Sequence, residues 1–249
     1  MRIVVAHSAN EIGRLCAESI VDYLLAQGGD AVLGLATGSS PLETYKSLIS
    51  IAKKQNISFR NVKTINLDEY CGLGPEHPQS FRYYMDKNFF SQVDIPEENI
   101  EFLSGIALDE EKECERYDRV IERRGGIGFQ LLGIGGNGHV AFNEPSEKFS
   151  CGTVKVQLTQ ETIQANSRFF YDVSEVPVSA LTIGMETIFH ARKIAMIATG
   201  EGKAEAVHAM LHGPITPQLP ASRLQQHEDM TLYIDSVLAG YLQKKYGEI

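Results

Sequence analysis

Gly133-Ile134-Gly135-Gly136-Asn137-Gly138-His139-Val140-Ala141-Phe142-Asn143-Glu144-Pro145 follows the apolar run Phe129-Gln130-Leu131-Leu132. The apolar run reads as a buried strand, and the glycines behind it as a flexible turn. Residues 137–144 of that turn hold an imidazole, a carboxylate and two carboxamides. Open α/β sheets bind ligands at the carboxyl ends of their strands. The stretch therefore reads as proton-transfer equipment at a ligand site.

Gly133, Gly135 and Gly138 also match the dinucleotide fingerprint G-x-G-x-x-G. That reading needs a helix opening inside the motif and an acid about 20 residues further on. Pro145 argues against the helix. Near position 158 the chain reads Gln157-Leu158-Thr159-Gln160, with no strand-ending acid. No nucleotide cofactor is expected.

Outward from this turn, strand-like and helix-like patterns alternate. Strands are predicted at Ile3–Ala6, Ala31–Ala36, Val62–Leu67, Asn99–Leu103, Phe129–Ile134, Lys193–Ala198 and Thr231–Asp235. Helices are predicted from an Asn10 cap to Ala26, from Pro41 to Lys54, from Ser80, over Leu108–Arg124 (charged and exposed), over Ser179–His190, over Gly202–Leu211 and at the C-terminus. The alternation predicts an α/β fold with an open, mainly parallel sheet and helices on both faces, a modified Rossmann-like arrangement. One domain over residues 1–249 is the simplest organisation. Two irregular stretches, 70–79 and 212–222, interrupt it, and the second has the length and prolines of a lid.

With 32 acidic and 23 basic residues the chain carries a net charge of −9, which argues against a nucleic-acid partner. Cys16, Cys71, Cys114 and Cys151 show no metal-binding spacing and read as thiols of a reducing compartment. The N-terminal apolar stretch is too short for a signal segment, and no run reaches membrane-span length. A cytoplasmic protein without a metal or a membrane partner is expected.

Four predicted strand ends carry chemistry. Thr37-Gly38-Ser39-Ser40-Pro41 is either a Ser-capped helix start or a phosphate site. Asp68-Glu69-Tyr70 places a carboxylate where a base could act, or where a solvated turn acid could sit. His139 could act on a ring oxygen with Glu144 orienting it. Thr199-Gly200-Glu201-Gly202-Lys203 lacks the Walker A spacing but suits a phosphate, with Arg168 as a second cation. Together they suggest proton movement on a small sugar phosphate.

These motifs resemble the glucosamine-6-phosphate deaminase (isomerase) family. The resemblance runs through Leu35-Ala36-Thr37-Gly38-Ser39-Ser40-Pro41, Asn66-Leu67-Asp68-Glu69-Tyr70, Glu76-His77-Pro78-Gln79-Ser80, Gly138 to Pro145 and Ala165-Asn166-Ser167-Arg168-Phe169-Phe170. It implies conversion of glucosamine 6-phosphate and water to fructose 6-phosphate and ammonia, with no cofactor. It implies a catalytic set of Asp68, Asn137, His139 and Glu144, with His139 opening the sugar ring and Asp68 moving a proton from C2 to C1. Gly38, Ser39, Ser40, Arg168 and Lys203 would hold the phosphate.

Two departures stand out. Many relatives carry Asp where this chain has Asn137, so Glu144 is left as the one nearby anion supporting a charged imidazole. Hexameric relatives bind N-acetylglucosamine 6-phosphate through basic residues at positions matching Val154 and Val156. Valines cannot pair with phosphate, so a monomer or small homo-oligomer without that allosteric site is expected. The related 6-phosphogluconolactonases are the nearest enzyme alternative, and a non-catalytic sugar-phosphate sensor is the alternative from another class. The sensor reading lacks a DNA-binding segment ahead of the first strand.

Overall fold

The computed structural model describes residues 1–247 and 249. Seven strands form one sheet in the order β1 (Arg2–Ala6), β10 (Met230–Asp235), β9 (Lys193–Ala198), β6 (Phe129–Gly133), β2 (Val32–Leu35), β3 (Lys63–Asn66) and β5 (Ile100–Glu101). Every pairing in it is parallel. Strand side chains alternate between faces, as the period of two requires. On β10, Leu232 and Ile234 join one core while Tyr233 joins the other; on β9, Ile194, Met196 and Ala198 oppose Ala195 and Ile197. The helices α1 (Ala9–Ala26), α2 (Leu42–Gln55) and α3 (Phe81–Asn88) cover the Tyr233 face. The opposite face packs against α4 (Glu110–Arg123), α6 (Met185–Phe189), α7 (Ala204–His212) and α8 (Ser236–Tyr246).

A second sheet of three antiparallel strands joins β4 (Asp68–Tyr70), β8 (Ser179–Thr182) and β7 (Val154–Gln157). The chain passes from the large sheet to the small one through Leu67. Its N–H donates to the Leu35 carbonyl at 3.3 Å, and its carbonyl accepts from Ile183 N–H at 2.9 Å. The remaining helix, α5 (Gln160–Asn166), follows β7 and packs into a third small core with Leu158, Ile163 and the ring of Tyr70.

Several sequence expectations need correction. Ser179–His190 is not one helix: residues 179–182 are β8, buried throughout, and only Met185–Phe189 is helical. A short apolar run buried on all sides has no amphipathic period to separate strand from helix. The irregular stretch expected over 70–79 opens on the last residue of a strand, β4, because that strand pairs with the unrecognised β8. The first helix is capped by Ser8, whose side chain accepts from Glu11 N–H at 3.2 Å, rather than by Asn10. Helix α4 is exposed on one face only, since Cys114, Tyr117, Val120 and Ile121 are buried.

Candidate active site

The order of the large sheet reverses direction between β2 and β6. Chain connections run from β2 outward to β3 and β5, then return to β6 on the other side of β2. At such a switch point the loops leaving two neighbouring strands part, and a crevice opens beyond their carboxyl ends. Here the crevice is a cavity of about 550 Å³, the size of a small-ligand site. Gly38, Ser39, Ser40, Asp68, His139, Arg168 and Lys203 all line it. A second groove, of about 410 Å³ beside Lys53 and Asp94, contains none of the predicted residues.

The β2–α2 loop forms one wall. Helix α2 starts at Leu42 after Pro41, with no side chain capping it. The hydroxyls of Ser39 and Ser40 are therefore not spent on a cap, and the first N–H groups of α2 stay open to a ligand. The Ser-capped reading of that loop therefore does not hold. The loop itself is held from behind: Tyr84 donates to the Gly38 carbonyl at 2.6 Å, and Tyr45 to that of Ala36 at 2.5 Å.

Arg168 and Lys203 also line the cavity, near enough for their charges to interact. Arg168 stacks on the Phe169 ring, 4.7 Å from its centroid, and has no carboxylate partner among the described residues. Burial and then the charge of Arg168 push the Lys203 ammonium below its ordinary value, partly offset by Glu161. Paired cations, hydroxyls and open helix N–H groups around one cavity are groups that could hold an anion. The two loops predicted as phosphate-type sites thus line one cavity.

Asp68 lies at the seam between the two sheets and is 6% exposed. Neighbouring residues of a strand point to opposite sides. Asp68 faces the cavity, and its carboxylate has no hydrogen-bond partner among the described residues. Glu69 points away and accepts the N–H groups of Tyr70 and Phe81 at 2.9 Å and Arg82 at 3.0 Å, fastening the start of α3. Burial, then the adjacent Glu69, raises the Asp68 carboxyl well above its ordinary value. Burial also raises Glu69, to about 7, against the three N–H donors. Asp68 is thus an unsatisfied, strengthened base pointed into an open crevice.

The glycine run after β6 forms no helix: residues 134–153 are turns and bends with one isolated bridge, Val140 to Asn143. Its glycines serve close packing. A Cβ on Gly135 would stand 2.3 Å from the His139 ring. Gly138 has φ +82°, and a Cβ there would meet Leu219 at 2.2 Å. Leu219 belongs to the 212–222 stretch, which is tied to this turn by Ala221 N–H to the Gly138 carbonyl and Ser146 N–H to the Pro217 carbonyl, each at 3.0 Å. None of residues 212–222 lines the cavity.

Asn137 stands between His139 and Glu144. Its amide Nδ2 donates to Glu144 Oε2 at 2.8 Å, and its Oδ1 accepts the backbone N–H of His139 at 3.1 Å. Both contacts require the same amide orientation, so Oδ1 is the atom facing His139 Nδ1 at 2.7 Å. A carbonyl oxygen only accepts. Nδ1 therefore carries the proton, and the Nε2 lone pair is left for the cavity. Glu144 reaches the imidazole mainly through this amide, since its Oε2 is 3.5 Å from Nδ1. Burial works to raise the Glu144 carboxyl, but contacts with His139, Thr162 and Asn137 outweigh it and lower it to about 2.

Sequence reasoning missed Tyr84, which braces the Ser39–Ser40 loop, and Thr162, which lines the cavity and donates to Glu144 Oε1. Lys87 on α3 also lines the cavity. The signal for Thr162 was present in Thr159-x-x-Thr162, a helix-start pattern; Thr159 does cap α5, through Thr162 N–H at 3.2 Å. Nothing in the sequence alone pairs that start with Glu144.

An α/β fold with an anion pocket, an unsatisfied carboxylate and an oriented imidazole at its switch point defines a class: proteins that move protons on a small phosphorylated ligand. Residues 5–233 match the family described as glucosamine-6-phosphate isomerases/6-phosphogluconolactonase. The chain belongs to that family. It is 47% identical over 242 residues to the glucosamine-6-phosphate deaminase of Clostridium acetobutylicum, covering 97% of this chain and 100% of that one. It is 46% identical to the deaminase of a Thermoanaerobacter species, covering 97% and 95%. Among solved structures, a monomeric glucosamine-6-phosphate deaminase superposes with a TM-score of 0.94 at 40% identity, over 97% of this chain and 100% of that one. The 6-phosphogluconolactonase of Trypanosoma brucei shares the fold, with a TM-score of 0.78 at 19% identity over 97% and 98%.

Proposed function

We propose that the protein is a glucosamine-6-phosphate deaminase, converting glucosamine 6-phosphate and water to fructose 6-phosphate and ammonia. The observation that carries this reading is the unpartnered, buried Asp68 carboxylate facing the same cavity as the His139 imidazole and the Arg168–Lys203 pair. A buried carboxylate with a raised proton affinity suits proton abstraction from a carbon beside a carbonyl, the step that isomerisation requires. The 40–47% identity to deaminases, against 19% to a lactonase, favours the same side.

In this reading the phosphate sits on Ser39, Ser40, Arg168, Lys203 and the Gly38 loop. The far end of the sugar then meets His139 and Asp68 without a diffusional search. His139 Nε2 takes the hydroxyl proton of C1 and returns a proton to the ring oxygen, opening the ring. Asp68 removes the C2 proton while the C1 oxygen takes one from the C2 ammonium, giving an enolamine, and Asp68 then delivers its proton to C1, leaving an iminium at C2. Water then displaces the C2 nitrogen as ammonia. These are proton transfers and one hydrolysis, so the chemistry calls for neither a metal nor a redox cofactor.

The reading extends to a single domain spanning the chain, a cytoplasmic location and a monomer or small homo-oligomer. Four free cysteines suit a reducing compartment. Among the described residues no helix is long and apolar enough to cross a membrane. Val154 and Val156 alternate on β7 with Lys155, whose ammonium is committed to Glu110 at 2.6 Å. Valines at 154 and 156 and the Lys155–Glu110 pair support the reading without that allosteric site. If 212–222 acts as a lid, it must break its ties to the glycine turn to open.

The direct test is an ammonia assay with glucosamine 6-phosphate. Ammonia release hyperbolic in substrate and unchanged by N-acetylglucosamine 6-phosphate is expected. Hydrolysis of 6-phosphogluconolactone without ammonia release would transfer the protein to the lactonase branch. Sigmoidal kinetics relieved by N-acetylglucosamine 6-phosphate would refute the absence of the allosteric site.

Asn137→Asp gives a further prediction. A carboxylate 2.7 Å from His139 Nδ1 favours the charged imidazole, which must lose its proton before Nε2 can act. The acid limb of the pH–rate profile should move to higher pH by about one unit or more. An unmoved limb would mean that His139 does not set it.

A further inference from the structure

His139 is positioned by a chain of hydrogen bonds that does not end at Glu144. Oε2 of Glu144 is committed to Asn137 at 2.8 Å, while Oε1 accepts the hydroxyl of Thr162 and, at 3.4 Å, that of Thr159. The two hydroxyls are themselves 3.1 Å apart. Glu144 is thereby gripped at both oxygens, which fixes the roll of the carboxylate about its own axis. That roll decides whether Oε2 faces Asn137. Asn137 in turn decides which nitrogen of His139 carries the proton.

We propose that Thr162 is a positioning residue for proton transfer at His139, acting through Glu144 and Asn137. Thr162 is 4% exposed, so water does not readily replace its hydroxyl on Glu144. A hydrogen bond to a buried carboxylate is of the stronger, charge-assisted kind. The place of Thr162 in the chain adds a second consequence. It lies on the continuous segment formed by α5 and the turn Ser167–Phe169, and this segment also carries Arg168. The segment is anchored by Ile163 in the third core, and Phe170, just beyond it, packs against that core. One short element thus brings both a cation and a hydroxyl to the cavity.

The kinetic consequence rests on the deaminase reading, whereas the structural consequence does not. In Thr162→Val, which keeps shape and removes the hydroxyl, kcat should fall about tenfold, the equivalent of one lost charge-assisted hydrogen bond. The KM for glucosamine 6-phosphate should stay within about twofold, because the phosphate contacts are untouched. Thr162→Ser should restore most of kcat. Independently of turnover, the His139 Nδ1–H proton should be visible by NMR in wild type and Thr162→Ser, since its hydrogen bond slows exchange with water. The signal is assigned by its loss in His139→Gln, and in Thr162→Val it should broaden away. A folded Thr162→Val protein that keeps this signal, or a Thr162→Ser protein as impaired as the valine variant, overturns the proposal. If wild type releases no ammonia, the deaminase reading fails while the NMR comparison still decides the role of Thr162.

Discussion

Asp68→Asn is expected to lower kcat by about 10³-fold, the range associated with removal of a positioned general base. The amide keeps the shape of the side chain and its place on β4, so KM should change little. Stability should move the other way. Burial and the neighbouring Glu69 raise the Asp68 carboxyl in the folded protein. From the unfolded value near 4 up to the raised folded value, the folded chain holds a proton that the unfolded chain has released. Stability contributed by this group is therefore lost as pH rises through that window. At neutral pH the amide removes the penalty, and Asp68→Asn should melt a few degrees higher than wild type, at about 2–4 °C for each kcal/mol. Loss of turnover together with a raised Tm is the signature of a strained catalytic base. Unchanged turnover would remove Asp68 from that role, and a lowered Tm would show that its burial is not a cost. The same raised carboxyl predicts that wild-type activity is already falling on the acid side well above pH 4.

Arg168→Met carries the second large effect. Met fills space beside Phe169 but offers no donors, so a phosphate loses a charge-assisted contact with about 1.5–3 kcal/mol at stake. A fall in kcat/KM of about 100-fold is expected. Part of it should appear in kcat, because binding energy at the phosphate also holds C2 in register with Asp68. Arg168→Lys should rescue poorly, since an ammonium neither stacks on Phe169 nor offers a planar pair of donors. Inorganic phosphate should inhibit the wild type competitively and the methionine variant much more weakly. Equal inhibition of both proteins would place the phosphate elsewhere.

Which parts of this site could be read from the chain follows from the range of the interactions involved. Asp68 announces itself because a polar residue directly after an apolar run marks a strand end, and His139 and Glu144 because they sit in a glycine-rich turn behind one; both patterns are local. Pro145 correctly removes the dinucleotide alternative, because helix termination is local as well. The β2–α2 loop was ambiguous, since Ser39 and Ser40 serve equally as cap or ligand donors. Only the observed start of α2, uncapped after Pro41, frees them. The small antiparallel sheet went unseen because β8 is buried on every side and its partner β4 is three residues long. Neither has a periodicity to detect.

By itself, the sequence determined the α/β alternation, the parallel sheet, the polar groups at its strand ends and the substitution of Asn for a carboxylate at 137. These follow from hydrophobic periodicity and from turn chemistry that acts over a few residues. Tertiary structure alone decided that Arg168 and Lys203 line one cavity with Ser39 and Ser40. It alone decided that Asp68 is left without a partner at the seam of two sheets. It also threaded the glycine run's His139 through Asn137 to Glu144 and on to Thr162. Those outcomes depend on strand order and on side chains meeting across long stretches of chain, where the reversal between β2 and β6 opens the crevice and packing fixes which lone pair faces it.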